Sequence, residues 1–384
     1  MPLWPFARAA RRPASPPPTE ETLVLQDLLR RNVEDVLAVA EQGARGHAFI
    51  FGGELRVEPA RAREILEPRL QALGFTPFLS RDRGHVWIQA LPLGETAERS
   101  RPALALTLFL ATLLSTLAAG SMVSGSFPWL TFDPAVEPGR LLDGLPFAFT
   151  LLAILGTHEF GHYFTARAYG AAVSLPYFIP APPPLFLFGT LGAVIRMRSP
   201  TRDRNSLLDI AAAGPLAGLL VALPALWLGL SWSRVGPIPE GGAMSFGDSL
   251  LMRFMTYLSF GRIPEGMDVF VHPVALAGWV GLFVTALNLF PVGQLDGGRI
   301  AYALFGPQHR RVSVGTFVAL VALGVVSGSP NWFVFAGIVA LLVGFHHAPP
   351  LDDITPLSPG RYAVGLVCLV LLVLLIPPVP FSLV

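Results

Sequence analysis

From residue 102 onward the chain consists largely of apolar runs long enough to cross a bilayer, and this most restricts what it can fold into. A hydrocarbon core of ~30 Å takes ~20 helical residues, and inside it every backbone polar group must be satisfied by the protein itself. Runs near 103–123, 144–168, 207–231 and 272–290 meet that length, with further ones near 312–328, 331–347 and 362–378. Pro330 and Asn331 separate the first two of these further runs, both short, as a tight helical hairpin. About seven spans are expected. Composition agrees, since 14% of the 384 residues are charged against roughly 25% in soluble domains. A net charge of +1 offers no basic field for phosphates, so nucleic acid is not expected as a partner. The single cysteine, Cys368, excludes a disulfide framework and a cysteine-based metal cluster. Any metal must be held by His, Asp or Glu.

The first hundred residues differ. Residues 1–20 are rich in Pro and Arg, lack the apolar core of a signal peptide, and are expected to form a flexible tail. Residues 21–94 read as a small soluble α+β domain: an amphipathic helix over 21–42, a strand at 48–57, a helix at 59–73, and strands at 75–81 and 85–92 joined by Arg83-Gly84. The polar linker GETAERSRP follows, and the membrane domain is placed at 102–378. Arg196, Arg198, Arg202, Arg204, Arg299, Arg310 and Arg311 flank alternate spans, while the segment 124–143 carries only Arg140. The positive-inside rule therefore puts the N-terminal domain, 171–206 and 291–311 on the cytoplasmic side.

The second run contains His158-Glu159-Phe160-Gly161-His162. Residues four apart share a helix face, so both imidazoles can reach one metal ion, and the glutamate beside the first can serve as a base toward water. Ionisable groups inside a span are costly and mark function. A catalytic zinc takes three protein ligands and keeps one open position. Asp296, in NLFPVGQLDGG at the end of the fourth run, is the candidate third ligand, although an Asp-Gly-Gly turn outside the membrane fits that stretch equally well when read alone. Residues 173–198 are apolar but hold Pro176, Pro180, Pro182, Pro183 and Pro184, which excludes a regular spanning helix. A re-entrant loop with a β-hairpin is expected, either offering an edge to an unwound substrate strand or plugging the bundle. Gly214 and Gly218 in GPLAG read as close helix packing. Residues 248–260 read as an interfacial helix, a gate or a surface anchor.

HEFGH followed by NLFPVGQLDGG resembles the site-2 protease family of intramembrane zinc metalloproteases, and GTLGAVIRMRSP and AAAGPLAG add to the likeness. The resemblance covers roughly residues 140–310. It implies one Zn2+ per chain bound by His158, His162 and Asp296, with Glu159 as the catalytic base and Asn288 and Pro291 holding substrate. It also implies a membrane protein with a transmembrane segment as substrate, within the lipid bilayer. The N-terminal domain resembles that of bacterial and plastid members, so a bacterial cytoplasmic membrane is the expected location. No PDZ-like insertion fits in loop 232–271, and no CBS pair is seen. The alternatives from other classes are an inactive membrane scaffold or chaperone, which would not need Glu159, and a zinc transporter, which would want polar residues strung across several spans.

Overall fold

The computed structural model describes residues 20–45, 48–82, 84–92, 101–125, 138–183, 186–238 and 244–383. The tail expected over 1–20 and the linker after residue 92 fall outside them, except for Glu20 and the residues from 101 on. Two compact units emerge.

The first unit begins with helix α1 (Glu20–Arg31), then strands β1 (Leu37–Arg45) and β2 (Ala48–Leu55), helix α2 (Pro59–Ala72), and strands β3 (Thr76–Asp82) and β4 (His85–Leu91). The helix expected over 21–42 is thus corrected. It stops at Arg31, and Leu37 onward pairs with β2. The Asn32 side chain donates to the Leu28 carbonyl at 2.9 Å, satisfying a helix-end acceptor. Val33, Val36 and Val39 beyond it are β-branched and favour extended backbone. The four strands form an antiparallel sheet in the order β1-β2-β4-β3. Val86, Ile88 and Ala90 of β4 join Phe51, Leu66, Leu70 and Leu29 in one buried core.

Two distant segments complete this unit, 199–207 and 348–358. Residue Leu79 of the edge strand β3 donates to the Leu351 carbonyl and accepts from Asp353, at 2.7 and 2.9 Å. Leu351 and Asp352 in turn bond the carbonyls of Thr201 and Arg202, each at 2.9 Å, and Ile354 packs on the core. The edge of the sheet is therefore covered, which removes an exposed template for mispairing. Arg63 of α2 is ion-paired with Asp203 at 2.8 Å, and Asp203 also accepts from the Ser206 amide at 2.8 Å.

The second unit holds the apolar helices. They are α3 (Pro102–Val123), α4 (Leu145–Ala168) after a 3-10 turn at Pro138–Gly144, α5 (Arg204–Ser231), α6 (Leu250–Phe260), α7 (Pro273–Leu289), α8 (Asp296–Phe305), α9 (His309–Ser327), α10 (Pro330–Ile338) and α11 (Pro359–Leu375). The first turn of α5, through Leu207, belongs to the first unit. Four helical stretches are long and apolar enough to cross a membrane: Pro102–Val123, Gly139–Ala168, Arg204–Ser231 and Asp296–Ser327. Helices α7 and α11 and the stretch Pro330–Val343, where α10 runs into a π-helical turn, are apolar but shorter. Large apolar side chains face outward, with Leu220, Val326 and Leu341 exposed by 76%, 86% and 85%. In water such a surface would be an aggregation liability; in lipid it is the ordinary exterior. This is an integral membrane protein.

Short hairpins decorate the helices. Strands β5 (Tyr177–Pro180) and β6 (Thr190–Val194) pair antiparallel within the proline-rich segment, with a bulge between Phe178 and Pro180. The Ser115 hydroxyl of α3 bonds the Gly189 carbonyl at 2.6 Å and pins the hairpin to that helix. Strand β7 (Arg234–Pro237) pairs with β9 (Met267–Phe270), and β8 (Met244–Phe246) with β10 (Phe381–Leu383).

Candidate metal centre

Helix α4 brings His158 and His162 onto one face because they lie one turn apart. Helix α7, which packs against α4, stops at Leu289. The chain then turns through Phe290–Leu295 and restarts as α8 at Asp296. Asp296 is thereby the first residue of a helix, where the backbone dipole favours a carboxylate. The turn is tight enough that a Cβ on Gly297 would lie 1.9 Å from the Leu289 carbonyl oxygen. Only glycine fits after Asp296.

The three side chains converge. His162 Nε2 lies 3.2 Å from His158 Nε2 and 3.1 Å from Asp296 Oδ2, and His158 Nε2 lies 3.4 Å from the same oxygen. Both imidazoles are buried, exposed by 4% and 3%. His162 Nδ1 faces the Ile210 carbonyl of α5 at 2.6 Å, so Nδ1 donates there and Nε2 is the nitrogen left to meet His158 and Asp296. Either a proton on Nε2 or a metal ion between the two atoms can join this nitrogen to the carboxylate oxygen at 3.1 Å. The spacing fits a metal ion: a tetrahedral ion with bonds near 2.0–2.1 Å sets its ligand atoms roughly 3.3 Å apart. His158, His162 and Asp296 form the group of metal-ligating side chains found among the described residues.

Glu159 is buried beside His158, exposed by 7%. Ile195, one residue past β6, turns its backbone toward this carboxylate. The Asn288 side-chain nitrogen reaches His158 Nε2 at 3.4 Å. Pro291 sits half-buried in the turn, its carbonyl accepting from Thr316 of α9 at 3.4 Å.

Two contributors escaped the sequence reading. The Ile210 carbonyl carries no signal in its side chain. Gly214 stood out only as one of a small-residue pair, yet a Cβ there would lie 2.1 Å from His162 Nε2. It keeps space open at the donor atom itself.

A polytopic membrane chain with a His-His-carboxylate donor set and a buried glutamate beside it has the make-up of a membrane metallopeptidase. Residues 146–328 match the model of peptidase family M50, the family of the site-2 proteases. Its relatives include two proteins of Arabidopsis thaliana, the chloroplastic probable zinc metalloproteases EGY2 and EGY1. The first is 31% identical over 246 residues, 63% of this chain and 43% of the relative. The second is 33% identical over 295 residues, 72% of this chain and 53% of the relative. The chloroplastic probable zinc metalloprotease EGY3 of Oryza sativa subsp. indica is 34% identical over 288 residues, 70% of this chain and 47% of the relative. The chain spans about half the length of these curated relatives. No solved structure matches it.

Proposed function

We propose that this chain is an intramembrane zinc metalloprotease that hydrolyses peptide bonds within or near transmembrane segments of other membrane proteins. The observation that carries the reading is the approach of two imidazole Nε2 atoms and one carboxylate oxygen to 3.1–3.4 Å, with Glu159 adjacent to the first. His158, His162 and Asp296 would hold one zinc ion. When bound, zinc acts as a Lewis acid and lowers the pKa of water to about 7.

The remaining work falls to the protein. Glu159, buried beside His158, takes a proton from the attacking water and returns it to the leaving amine. A substrate helix hides its carbonyls in internal hydrogen bonds and must uncoil locally to be cut. The hairpin β5–β6, which we place as a re-entrant element, offers an edge to the uncoiled strand, and Asn288 and Pro291 hold that strand near Glu159. Helix α6, with Leu250, Phe254, Tyr257 and Leu258 all at least half exposed, is proposed to lie at the membrane surface and gate access.

We propose seven spans, with the N-terminal unit cytoplasmic. The resemblance assigns the protein to a bacterial cytoplasmic membrane; the named relatives are chloroplastic, so a chloroplast membrane is the alternative that fractionation of the source cell decides. An inactive scaffold would have no use for Glu159, and a transporter would not gather its polar groups at one level. The test is zinc content together with cleavage of a model transmembrane substrate in detergent or nanodiscs. About one zinc per chain and chelator-sensitive cleavage are expected. Zinc binding without cleavage of any membrane substrate would favour the scaffold, and zinc flux across vesicles the transporter.

A further inference from the structure

Helix α5 supplies no metal ligand, yet its first turns set the direction of one. The Ile210 carbonyl takes the Nδ1 proton of His162, and Gly214, one turn on, lies against Nε2 of the same ring. Any rotation or slip of α5 would therefore turn the imidazole. One residue before Ile210 stands Asp209, and both of its carboxylate oxygens lie 2.9 Å from Arg361 Nε of α11. The Tyr169 hydroxyl donates to Asp209 Oδ2, and Arg361 Nη2 donates to the Tyr169 oxygen at 3.1 Å. Tyr169 caps α4 seven residues, or two helical turns, after His162.

Three segments are thus tied at one point: the end of the helix carrying both histidines, the start of α5, and the start of α11. The pair is partly shielded, with Asp209 exposed by 26% and Arg361 by 36%. Apolar residues of similar volume often serve stability as well as a shielded ion pair does, so the pair is better explained by the geometry it imposes. Carboxylate and carbonyl partners behind metal ligands are worth 10–100-fold in metal affinity.

We infer that Asp209, clamped by Arg361 and Tyr169, is a positioning residue for His162, fixing the Ile210 carbonyl that orients its ring. The inference rests on the metal-centre reading above. It is tested on the full chain in detergent, with zinc affinity read by competition with a chromogenic chelator and site geometry by the visible spectrum of the Co2+-loaded protein. Asp209→Asn and Arg361→Ala should each weaken zinc ten- to a hundredfold and alter the Co2+ spectrum. The double variant should be no worse than the single ones, because the two act as one unit. Leu117→Ala, in the buried part of α3, should lower the melting temperature while leaving affinity and spectrum alone. If Asp209→Asn and Arg361→Ala melt earlier but keep wild-type affinity and spectrum, the cluster is only a packing clamp and the inference is wrong. Should Asp209→Asn fail to fold, Tyr169→Phe carries the test: a several-fold loss of affinity supports the inference, and none overturns it. Failure of the metal-centre reading looks different, since wild type would then bind no zinc or His162→Ala would bind it as well as wild type.

Discussion

His162 Nδ1 and the Ile210 carbonyl oxygen are 2.6 Å apart, so α5 dictates which nitrogen of the imidazole carries the proton. The other nitrogen is left facing His158 and Asp296. Ring orientation, tautomer and donor direction thus follow from one hydrogen bond between two helices.

The proposed division of labour between ligands and base predicts a dissociation. Glu159→Gln keeps shape and hydrogen-bonding capacity but cannot accept a proton. Zinc content and melting should stay near wild type while cleavage falls at least about a hundredfold. Loss of zinc in this variant would make Glu159 a ligand, and full activity would remove the hydrolase assignment.

The three proposed ligands should behave as a set. His158→Ala, His162→Ala and Asp296→Ala are each expected to abolish or greatly weaken zinc binding, measured as bound metal per chain. Full occupancy in Asp296→Ala would strike that residue from the site.

Gly214 offers a test that touches no ligand. The methyl of Gly214→Ala would lie 2.1 Å from His162 Nε2, so zinc should be lost even where the helices remain folded by circular dichroism. Gly218→Ala is the comparison, because its methyl meets the His158 Cβ at 3.2 Å and Nδ1 at 3.4 Å, ordinary or slightly tight contacts away from Nε2. It should retain most zinc. Equal retention by both would mean that α5 yields easily and does not confine the ring.

Acid should weaken the first unit through Asp203. Burial pushes its carboxyl up, but the Ser206 hydrogen bonds and the Arg63 guanidinium outweigh burial and hold it below the ordinary aspartate value. A depressed folded-state value means that the stabilisation is complete above the unfolded value of about 3.9 and fades as pH falls below it. Asp203→Asn should cost about 1–3 kcal/mol at neutral pH. That deficit should shrink in melts taken below pH 4. A deficit independent of pH would show that the carboxylate charge is not what matters there.

Strand pairing by the hairpin can be separated from simple packing. Ala193→Pro removes one backbone donor from β6. It should impair cleavage while zinc stays bound; unchanged turnover would favour a plug. For topology, single cysteines near residues 95, 200 and 305 should label from one face of the membrane and near 240 from the other.

Much of this was legible in advance, for identifiable reasons. The runs beginning near 103, 144 and 207 announce helices because lipid imposes a length and a composition at once. His158 and His162 declare themselves because two costly side chains stand one turn apart in an apolar helix. Asp296 was harder: only the folded turn after Leu289 shows that the following glycines press it against the end of α7. The misplaced helix over 32–42 reflects a period misread in a short segment, where Val33, Val36 and Val39 suit a strand as well as a helix face. Asp209, Tyr169 and Arg361 could not be grouped at all. They are 40 and 152 residues apart in the chain, and no local pattern joins residues that meet only through packing.

The first unit's sheet has an implication in time. Its edge strand β3 is bonded to residues 351 and 353, so that edge stays open until synthesis has passed those residues. At ~5–20 residues per second, synthesis leaves the strand uncovered for roughly a quarter of a minute to a minute. An N-terminal fragment ending near residue 98 would keep that edge open for good and lack Ile354 from its core. During biogenesis the first unit thus emerges ahead of the apolar helices that follow it, and it closes only after most of them have been synthesised.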